Sequence, residues 1–195
     1  MIVAAALPLV AEYGAAVTTS QIARAAGIGE ATVFRAFKDK DELLNACIAE
    51  ATGTGHVLRE LASISLDEPV AARLTEAAEA LRAHMERMGT VIGALHASGH
   101  RLTRPPGPDE DTPEDGPPVD PRAESFLALR EGIVELIEPD RSAFRLGPDK
   151  VAAAFLGLLF TRLHSPIPGA DAPLTPEELI AVLLHGTLHQ PGSTP

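Results

Sequence analysis

The 195-residue sequence contains few cysteine and aromatic residues and no long apolar run, and each of these absences excludes a class of protein. A single cysteine excludes an internal disulfide framework and indicates a reducing compartment. With no tryptophan, one tyrosine and few runs of β-branched residues, the chain is poor in strand-forming residues, so an all-α fold is predicted. No apolar run reaches the roughly 18 residues that a membrane-spanning helix requires. We therefore expect a cytoplasmic protein of one or two helical domains.

The first ten residues are apolar and could pass for the core of a signal peptide, but they lack the basic leader of such peptides. They also run directly into a helical pattern, which favours a buried first helix over Ile2–Tyr13. Gly14 suits the C-terminal cap of this helix. Pro8 is expected to kink it, because proline removes a backbone hydrogen bond.

Basic residues are also scarce, and the formal net charge is −11. Phosphate neutralisation requires Lys and Arg, so this balance argues at first sight against binding to nucleic acid. Six acidic residues and no basic ones lie in the proline-rich segment 105–121, which is predicted to be a mobile loop. The first 50 residues contain four basic residues against six carboxylates. Any DNA binding would depend on a few well-placed cations and on two copies acting together.

The segment between residues 18 and 44 has the pattern of a helix-turn-helix followed by the start of another helix. Thr18 and Gln21 have the spacing of a capping box, in which side chain and backbone cap each other at a helix start. The sequence Gly27-Ile28-Gly29 then predicts a tight turn. These signals place a first short helix between Thr18 and the turn.

The second helix of the motif is predicted over Glu30–Phe37. Its apolar positions, Val33 and Phe37, are expected to be buried. Its exposed positions are predicted to be Ala31, Thr32 and Arg35. Helix pairs of this kind lay the second helix into the major groove of DNA.

These residues resemble the DNA-binding domain of TetR-family transcriptional regulators. The resemblance rests on Ile22-Ala23, Ala26-Gly27-Ile28, Thr32-Val33-Phe34-Arg35, Phe37, Lys40 and Leu43-Leu44. The rest of the chain fits the family only in length and helical character. The resemblance implies an N-terminal three-helix DNA-binding domain over residues 1–46. A larger helical ligand-binding and dimerisation domain would follow over 47–190, with a tail at 191–195.

A set of DNA-contacting residues is predicted from the motif. Hydroxyl groups at the start of its first helix suit a phosphate, and the start of its second helix is the end that meets base edges. An arginine on that helix suits guanine or the backbone. The predicted residues are Thr18, Ser20, Gly29, Glu30, Ala31, Thr32, Phe34, Arg35 and Lys40.

Two of these positions depart from the family pattern, and both point to weak or unusual DNA binding. Glu30 places a carboxylate where the family often has a basic or neutral residue, and phosphate repels it unless it accepts a bond from a cytosine amino group. Phe34 replaces the usual Tyr and lacks its phosphate-binding hydroxyl. Family members also usually carry a basic arm ahead of the first helix, and we find none before Ile2.

The next helix is predicted to begin after Asp39, whose carboxylate suits the N-cap, with acidic residues in the first turn that complement the helix dipole. The resemblance assigns Lys40, in the same turn, to a DNA phosphate. A solvated lysine is the alternative. The helix is predicted to run to about Ala51, and Gly53 and Gly55 then predict an irregular segment.

Apolar periodicity predicts further helices over 70–88, 126–137, Pro148–His164 and Pro176–His189, with a shorter apolar segment over Gly89–His100. The last two helices are apolar around much of their circumference. This apolar surface is larger than the core of one small domain can cover. The resemblance implies a homodimer joined by a four-helix bundle of these two helices, and a wholly intramolecular core is the alternative. The predicted interface residues are Ala153, Ala154, Gly157, Phe160, Leu179, Val182, Leu183 and Gly186.

The second domain of such regulators encloses a small-molecule pocket. Apolar side chains with a few polar groups among them would suit an apolar or aromatic effector. Ordinary core and surface positions are the alternative interpretation. The predicted residues are His84, Met85, Met88, His96, His100, Phe126, Leu129, Arg130 and Ile133.

Seven histidines raise the question of metal binding. His96 and His100, like His185 and His189, are four residues apart and would share a helix face. Two histidines make half a zinc site, and no Cys or carboxylate stands at a spacing that completes one. The sequence also lacks a nucleophile-elbow pattern and a phosphate loop. Neither a metal, a cofactor nor an enzymatic activity is predicted.

Two hypotheses about function remain. The first is a ligand-responsive homodimeric repressor that binds a pseudo-palindromic operator through the helix 30–37. The second is a helical dimer that binds a small molecule or a protein partner and retains little DNA affinity.

Overall fold

The computed structural model describes residues 1–100, 121–164 and 174–187. This part of the chain is helical and contains no strand, so the predicted all-α fold is confirmed. The predicted loop 105–121, apart from its last residue, and the predicted tail 191–195 lie outside the described residues. The helices are α1 (Ile2–Tyr13), α2 (Thr19–Ala25), α3 (Glu30–Ala36), α4 (Lys40–Thr52), α5 (Gly55–Ala62), α6 (Val70–Ala97), α7 (Pro121–Ile137), α8 (Pro148–His164) and α9 (Pro176–Thr187).

The described residues divide into two compact units. The first unit comprises residues 1–53 and 84–100, and the second comprises 54–83, 121–164 and 174–187. These units are defined by the contacts between residues and do not show which part of the chain folds independently. The predicted domains 1–46 and 47–190 therefore remain a prediction. None of the helices in the described ranges combines the length and apolar character that a bilayer span needs.

The first unit is built by α1 to α4 and the second half of α6. Helix α1 packs on α2 and α4, and α2 packs on α3. Pro8 lies inside α1 on its exposed side, and the helix continues past it to Tyr13 as the sequence predicts. The core cluster is apolar and comprises Ala6, Val10, Val17, Ile22, Ala23, Val33, Leu43, Leu44, Cys47, Val91 and Leu95.

Gly14 allows the end of α1 to lie directly against the end of α6. Its φ of 56° is in the left-handed region that favours glycine. A Cβ at this position would collide with the Ala94 carbonyl oxygen and would lie 2.5 Å from Ser98 Oγ. The next residue, Ala15, donates its N–H to the same Ser98 hydroxyl at 2.7 Å. The predicted helix end at Gly14 is therefore confirmed, and its cause includes close packing.

In the second unit, α7 packs on α8 and α5, and α8 packs on α9. Its buried apolar residues come from every helix of the unit and include Val57, Leu61, Leu74, Leu81, Ile133, Ile137, Val151, Phe155, Leu156, Leu159, Leu179, Ile180 and Leu183. One charged side chain, Arg73, is only 1% exposed. Arg73 Nη2 donates to the Asp140 carboxylate and Nη1 donates to the Leu66 carbonyl oxygen at 3.4 Å. The buried guanidinium therefore ties α6 to the residues that follow α7.

The structure corrects the predicted secondary structure at two places. Helix α5 occupies a segment that Gly53 and Gly55 predicted to be irregular, and burial of its apolar residues Val57 and Leu61 stabilises it. Helix α6 runs without interruption through Gly89 and ends at Ala97, because packing of its apolar side chains outweighs the weak helix propensity of glycine.

The predicted pairing of His96 and His100 on one helix face is wrong. Helix α6 ends at Ala97, and Gly99 follows with a φ of 79°, so His100 lies beyond the helix. His96 is exposed on the last turn of α6. His189, from the second predicted pair, lies outside the described residues.

Candidate nucleic-acid interface

Helix α2 begins with the predicted capping box. The Thr18 hydroxyl accepts from the Gln21 backbone N–H at 3.2 Å, and the Gln21 carboxamide oxygen accepts from the Thr18 N–H at 2.8 Å. Each residue thus satisfies a backbone donor that the helix itself leaves unpaired. Thr18 and Ser20 are both exposed at this end of α2. The Thr18 hydroxyl therefore has a structural role in addition to its predicted phosphate contact.

The turn between α2 and α3 depends on Gly27. Its φ is 66°, and a Cβ there would meet no atom within 4 Å. Backbone conformation alone therefore favours glycine at this position. The turn is closed by the Ile28 N–H, which donates to the Ala23 carbonyl oxygen at 3.0 Å.

One face of α3 packs against the core of the first unit, and the opposite face is exposed to solvent. Val33 is buried, as predicted, whereas Phe37 is half-buried and forms the C-cap just after the helix ends at Ala36. Phe37 is therefore at the edge of the core, in partial agreement with its predicted burial. The remaining predicted contact residues are exposed: Gly29, Glu30, Ala31, Thr32, Phe34 and Arg35.

The exposed face of α3 mixes small, aromatic and charged side chains. Phe34 is 54% exposed, which is unusual for an aromatic residue in a small domain. Arg35 is exposed in the last turn of α3, where a cation also interacts well with the helix dipole. Glu30 is exposed in the first turn, and its Oε1 accepts from the Thr19 hydroxyl at 2.5 Å. No sequence pattern predicts this contact between α2 and α3.

Asp39 is the N-cap of α4, as predicted, since its carboxylate accepts from the Glu42 N–H at 2.8 Å. The Glu42 carboxylate in turn accepts from the Lys38 N–H at 2.5 Å. Lys40 is half-buried, and its ammonium donates to the Ala15 carbonyl oxygen at 2.5 Å. One of its three protons is thus committed to holding α4 against the turn after α1, and the other two remain for another acceptor.

His100 lies close to the start of α4. Its side chain is 7% exposed, and its Nδ1 is 3.6 Å from the Asp41 carboxylate. Its Nε2 is buried and has no hydrogen-bond partner among the described residues. The residues that follow α6 therefore reach Asp41 in the first turn of α4, next to Lys40 in the sequence.

Comparison with known protein families assigns this part of the chain. Residues 2–47 match the sequence model of the family described as bacterial regulatory proteins, tetR family. Residues 2–47 form a TetR-family DNA-binding domain. Among curated proteins, none matches the sequence. The exposed residues of α3 lie within this matched segment.

Solved structures extend the likeness to the whole chain. A candidate TetR-family transcriptional regulator from Mesorhizobium loti is similar with a TM-score of 0.60 at 17% identity, covering 96% of this chain and 95% of that one. A TetR transcriptional regulator from Streptomyces coelicolor gives 0.51 at 21%, covering 96% of each chain. The TetR-family regulator PfmR from Thermus thermophilus gives 0.50 at 17%, covering 94% of this chain and 97% of that one. The chain has the fold of TetR-family regulators, and domain and fold together support a DNA-binding transcriptional regulator.

The residues predicted to form a dimer interface divide between the surface and the core of the second unit. Val182 is 56% exposed, and Ala153, Gly157 and Gly186 are also exposed. Ala154 and Phe160 are half-buried, and Leu179 and Leu183 are buried within the chain itself.

The exposure of Leu158 was not predicted from the sequence. Leu158 on α8 is 41% exposed, whereas its neighbours Leu156 and Leu159 are buried. In the run Phe-Leu-Gly-Leu-Leu-Phe, apolar periodicity does not tell which leucine faces out. Only the packing of α8 on α7 and α9 decides this.

The predicted ligand-binding residues lie in both units. In the first unit, His84 and Met85 are buried on α6, and Met88 is half-buried. In the second unit, Leu129 and Ile133 are buried on α7. There the Phe126 ring is also 6.0 Å from the Phe160 ring, and Arg130 Nη2 is 3.7 Å from Asp149. The assignment of these residues to an effector stays a prediction.

The second unit also contains an open concavity of about 400 Å³. Charged, polar and apolar side chains line it, and none of the predicted ligand-binding residues is among them. The lining residues are Glu60, Ser63, Ile64, Glu76, Glu79, Ala80, Arg82 and Ala83.

Proposed function

We propose that this protein is a ligand-responsive homodimeric repressor that binds a pseudo-palindromic operator through α3. The observation that carries the proposal is the arrangement of α3 itself. Val33 anchors the helix in the core, while Ala31, Thr32 and Arg35 are presented outward from a rigid support. A recognition helix needs this combination, because base contacts require side chains held in a fixed position.

Dimerisation is supported by the apolar surface of the second unit. Leu158 on α8 and Val182 on α9 are large apolar side chains exposed to water in the single chain. On the same two helices, Ala153, Gly157 and Gly186 are small exposed residues that would let another helix approach closely. A second copy that covers these residues would place two recognition helices on one duplex, which compensates for the few cations in each.

Response to a ligand would follow from such a dimer. A small molecule that binds one dimer geometry more tightly than another shifts the population toward it. The distance between the two recognition helices would then change, and with it the affinity for an operator of fixed half-site spacing. We propose an apolar or aromatic effector, because the predicted pocket residues are mainly apolar.

The second candidate is a helical dimer that binds a small molecule or a partner and has little DNA affinity. Three observations in the TetR-family domain favour it. Glu30 presents a carboxylate at the start of α3, Phe34 presents a ring without a hydroxyl, and the Lys40 ammonium is engaged by the Ala15 carbonyl. The Glu30 carboxylate repels phosphate, Phe34 lacks a hydroxyl that could bond to it, and one of the three Lys40 protons is already used within the protein.

Fluorescence anisotropy with a duplex from upstream of the gene, at several salt concentrations, tests the proposal. We expect specific binding that weakens steeply with salt. Arg35→Ala should lower the affinity about tenfold and reduce the salt slope by about 1 if Arg35 contacts a phosphate. Arg145→Ala is the matched control, since Arg145 is an exposed arginine of the second unit.

Lys40→Ala should also lower the affinity, but it removes the bond to Ala15 as well. Its melting temperature must therefore be measured beside its DNA affinity. Specific binding in the parent protein that is indifferent to Arg35→Ala would contradict the assignment of α3. If neither this duplex nor any member of a genomic fragment pool is bound specifically, the second candidate is right.

A further inference from the structure

The first residues of the two motif helices are joined by a hydrogen bond. The Thr19 hydroxyl, on the first residue of α2, donates to Oε1 of Glu30, the first residue of α3, at 2.5 Å. Thr19 is half-buried and Glu30 is exposed. The carboxylate is thus held at the end of α3 that faces base edges in a docked helix-turn-helix.

The Glu30 carboxylate is not consumed by capping its own helix. The N-cap residue is Gly29, which makes no side-chain cap, and α3 begins with the Thr32 N–H donating to the Gly29 carbonyl oxygen at 2.8 Å. An ionised carboxylate offers about four acceptor positions on two oxygens. The bond from Thr19 occupies one of them on Oε1, so acceptor capacity remains for a group outside the protein.

A carboxylate beside DNA can accept only from a base amino group, because phosphate oxygens repel it. In the major groove, cytosine presents its N4 amino group as a donor. Thymine presents the O4 acceptor in the same region, which a carboxylate would oppose. Adenine offers an amino group, but its N7 acceptor lies beside it. Cytosine is therefore the base whose edge matches Glu30.

We propose that Glu30 selects a cytosine in each half-site of the operator and that Thr19 is the positioning residue for its carboxylate. The proposal rests on the proposed function, in which α3 enters the major groove. Thr19 restricts the side-chain rotamers of Glu30 before DNA is bound, so less conformational freedom is lost on binding. The carboxylate lowers the affinity for every DNA sequence, because phosphate repels it. A hydrogen bond from cytosine offsets this loss only at sites that have the matching base pair, so Glu30 is a determinant of specificity.

The experiment begins with selection of binding sites from a random duplex pool by the full-length protein. Affinities are then measured by anisotropy for duplexes in which each half-site position carries each of the four base pairs. Four proteins are compared: the parent, Thr19→Ser, which keeps the hydroxyl, Thr19→Val, which has the same shape without it, and Glu30→Gln. Melting temperatures of all four confirm that they are folded.

We expect one position in each half-site at which the parent and Thr19→Ser prefer cytosine over thymine by about 5- to 150-fold. Thr19→Val should reduce this preference severalfold while it leaves the preferences at other positions unchanged. Glu30→Gln should abolish the preference and raise the affinity for unrelated duplex, because one negative charge is removed.

Three results would overturn the proposal. If Glu30→Gln keeps every base preference of the parent, Glu30 is only a brace between the two helices. If Thr19→Val matches the parent at all positions, Thr19 does not position the carboxylate. If the parent selects no sequence at all, the regulator function itself fails. That outcome is distinguishable, because in the first two cases specific binding is retained.

Discussion

The two units of the protein expose different chemistry. In the first unit, the residues around α3 present a guanidinium, a carboxylate, small side chains and a single aromatic ring. In the second unit, α8 and α9 present Leu158 and Val182. Polar groups that are held in place suit a ligand recognised by hydrogen bonds, such as the edge of a base pair. Exposed leucine and valine gain free energy only when another apolar surface covers them.

The interiors differ as well. The core cluster of the first unit is apolar, and the positions of its helices are reinforced by caps at Thr18 and Asp39. The second unit buries a charge, Arg73, whose two terminal nitrogens donate to Asp140 and to a backbone carbonyl, while its Nε has no hydrogen-bond partner among the described residues. Each unit also has a long-range contact: the Ala15 N–H donates to Ser98 across 83 positions in the first unit, and Arg73 donates to Asp140 across 67 positions in the second. The long-range contact of the second unit differs because it involves a buried charge.

The largest expected effect concerns the apolar surface of the second unit. The double variant Leu158→Asp/Val182→Asp should weaken self-association at least about 100-fold, because the exposed part of each side chain contributes roughly 1 kcal/mol when it is covered and a buried carboxylate is costly. Sedimentation at several protein concentrations measures this. Leu66→Asp, at another exposed leucine of the same unit, is the control and should leave the assembly unchanged. Equal behaviour of the two variants would contradict the proposed dimer surface.

The next effect tests the buried charge. Asp140→Ala should lower the free energy of unfolding by about 3 kcal/mol, because Arg73 then keeps a buried charge without a counter-ion. The double variant Arg73→Met/Asp140→Ala should recover part of this loss, since a buried apolar side chain replaces the unpaired charge. Urea unfolding of the three variants supplies the comparison. If the double variant is less stable than Asp140→Ala, the ion pair is not the reason for the loss.

A smaller effect tests local capping in the first unit. Thr18→Ala should cost about 1 kcal/mol, because the Gln21 backbone N–H at the start of α2 loses its hydroxyl acceptor. Amide hydrogen exchange should report the loss within residues 19–25 of α2 and leave α7 and α8 unaffected. Thr18→Ser keeps the hydroxyl and should exchange like the parent. A uniform change in exchange throughout the chain would argue against a local cap.

The smallest effect concerns the single thiol. Burial raises the pKa of Cys47 to about 11 from an ordinary 9.0. Below pH 9.0 both folded and unfolded chains keep the proton, and between pH 9.0 and about 11 the unfolded chain ionises first, so the free energy of unfolding falls as the pH rises. At neutral pH, a thiol reagent should label Cys47 only as fast as the chain opens. The variant Cys47→Ala should lack the alkaline loss that this thiol causes. Rapid labelling of the folded protein would show that Cys47 is accessible.

Much of the first unit follows from signals within a few residues. The capping box at Thr18, the turn at Gly27 and the cap at Asp39 each involve groups no more than five positions apart, so their sequence spacing is sufficient. The starts of α8 and α9 in the second unit also depend on residues close in sequence. Pro148 begins α8, and Thr175 caps α9 by accepting from the Glu178 N–H at 3.2 Å.

The candidate site was only partly predictable, because its geometry depends on contacts between helices. The exposed positions of α3 follow from helical periodicity, which places Val33 inward. The bond from Thr19 to Glu30 and the bond from Lys40 to Ala15 do not follow from it, since they join residues 11 and 25 positions apart. Both bonds change the interpretation of a predicted DNA contact from a free side chain to one held in place.

By itself, the sequence determined the helical class, the motif and most helix ends, because these depend on residue propensity and on caps within one turn. Only the tertiary structure decided that α6 continues through Gly89, that α5 exists, and that Leu158 rather than Leu156 faces outward. Each of these outcomes depends on which surface another helix covers. Burial of apolar side chains by distant parts of the chain outweighs local preference at such positions.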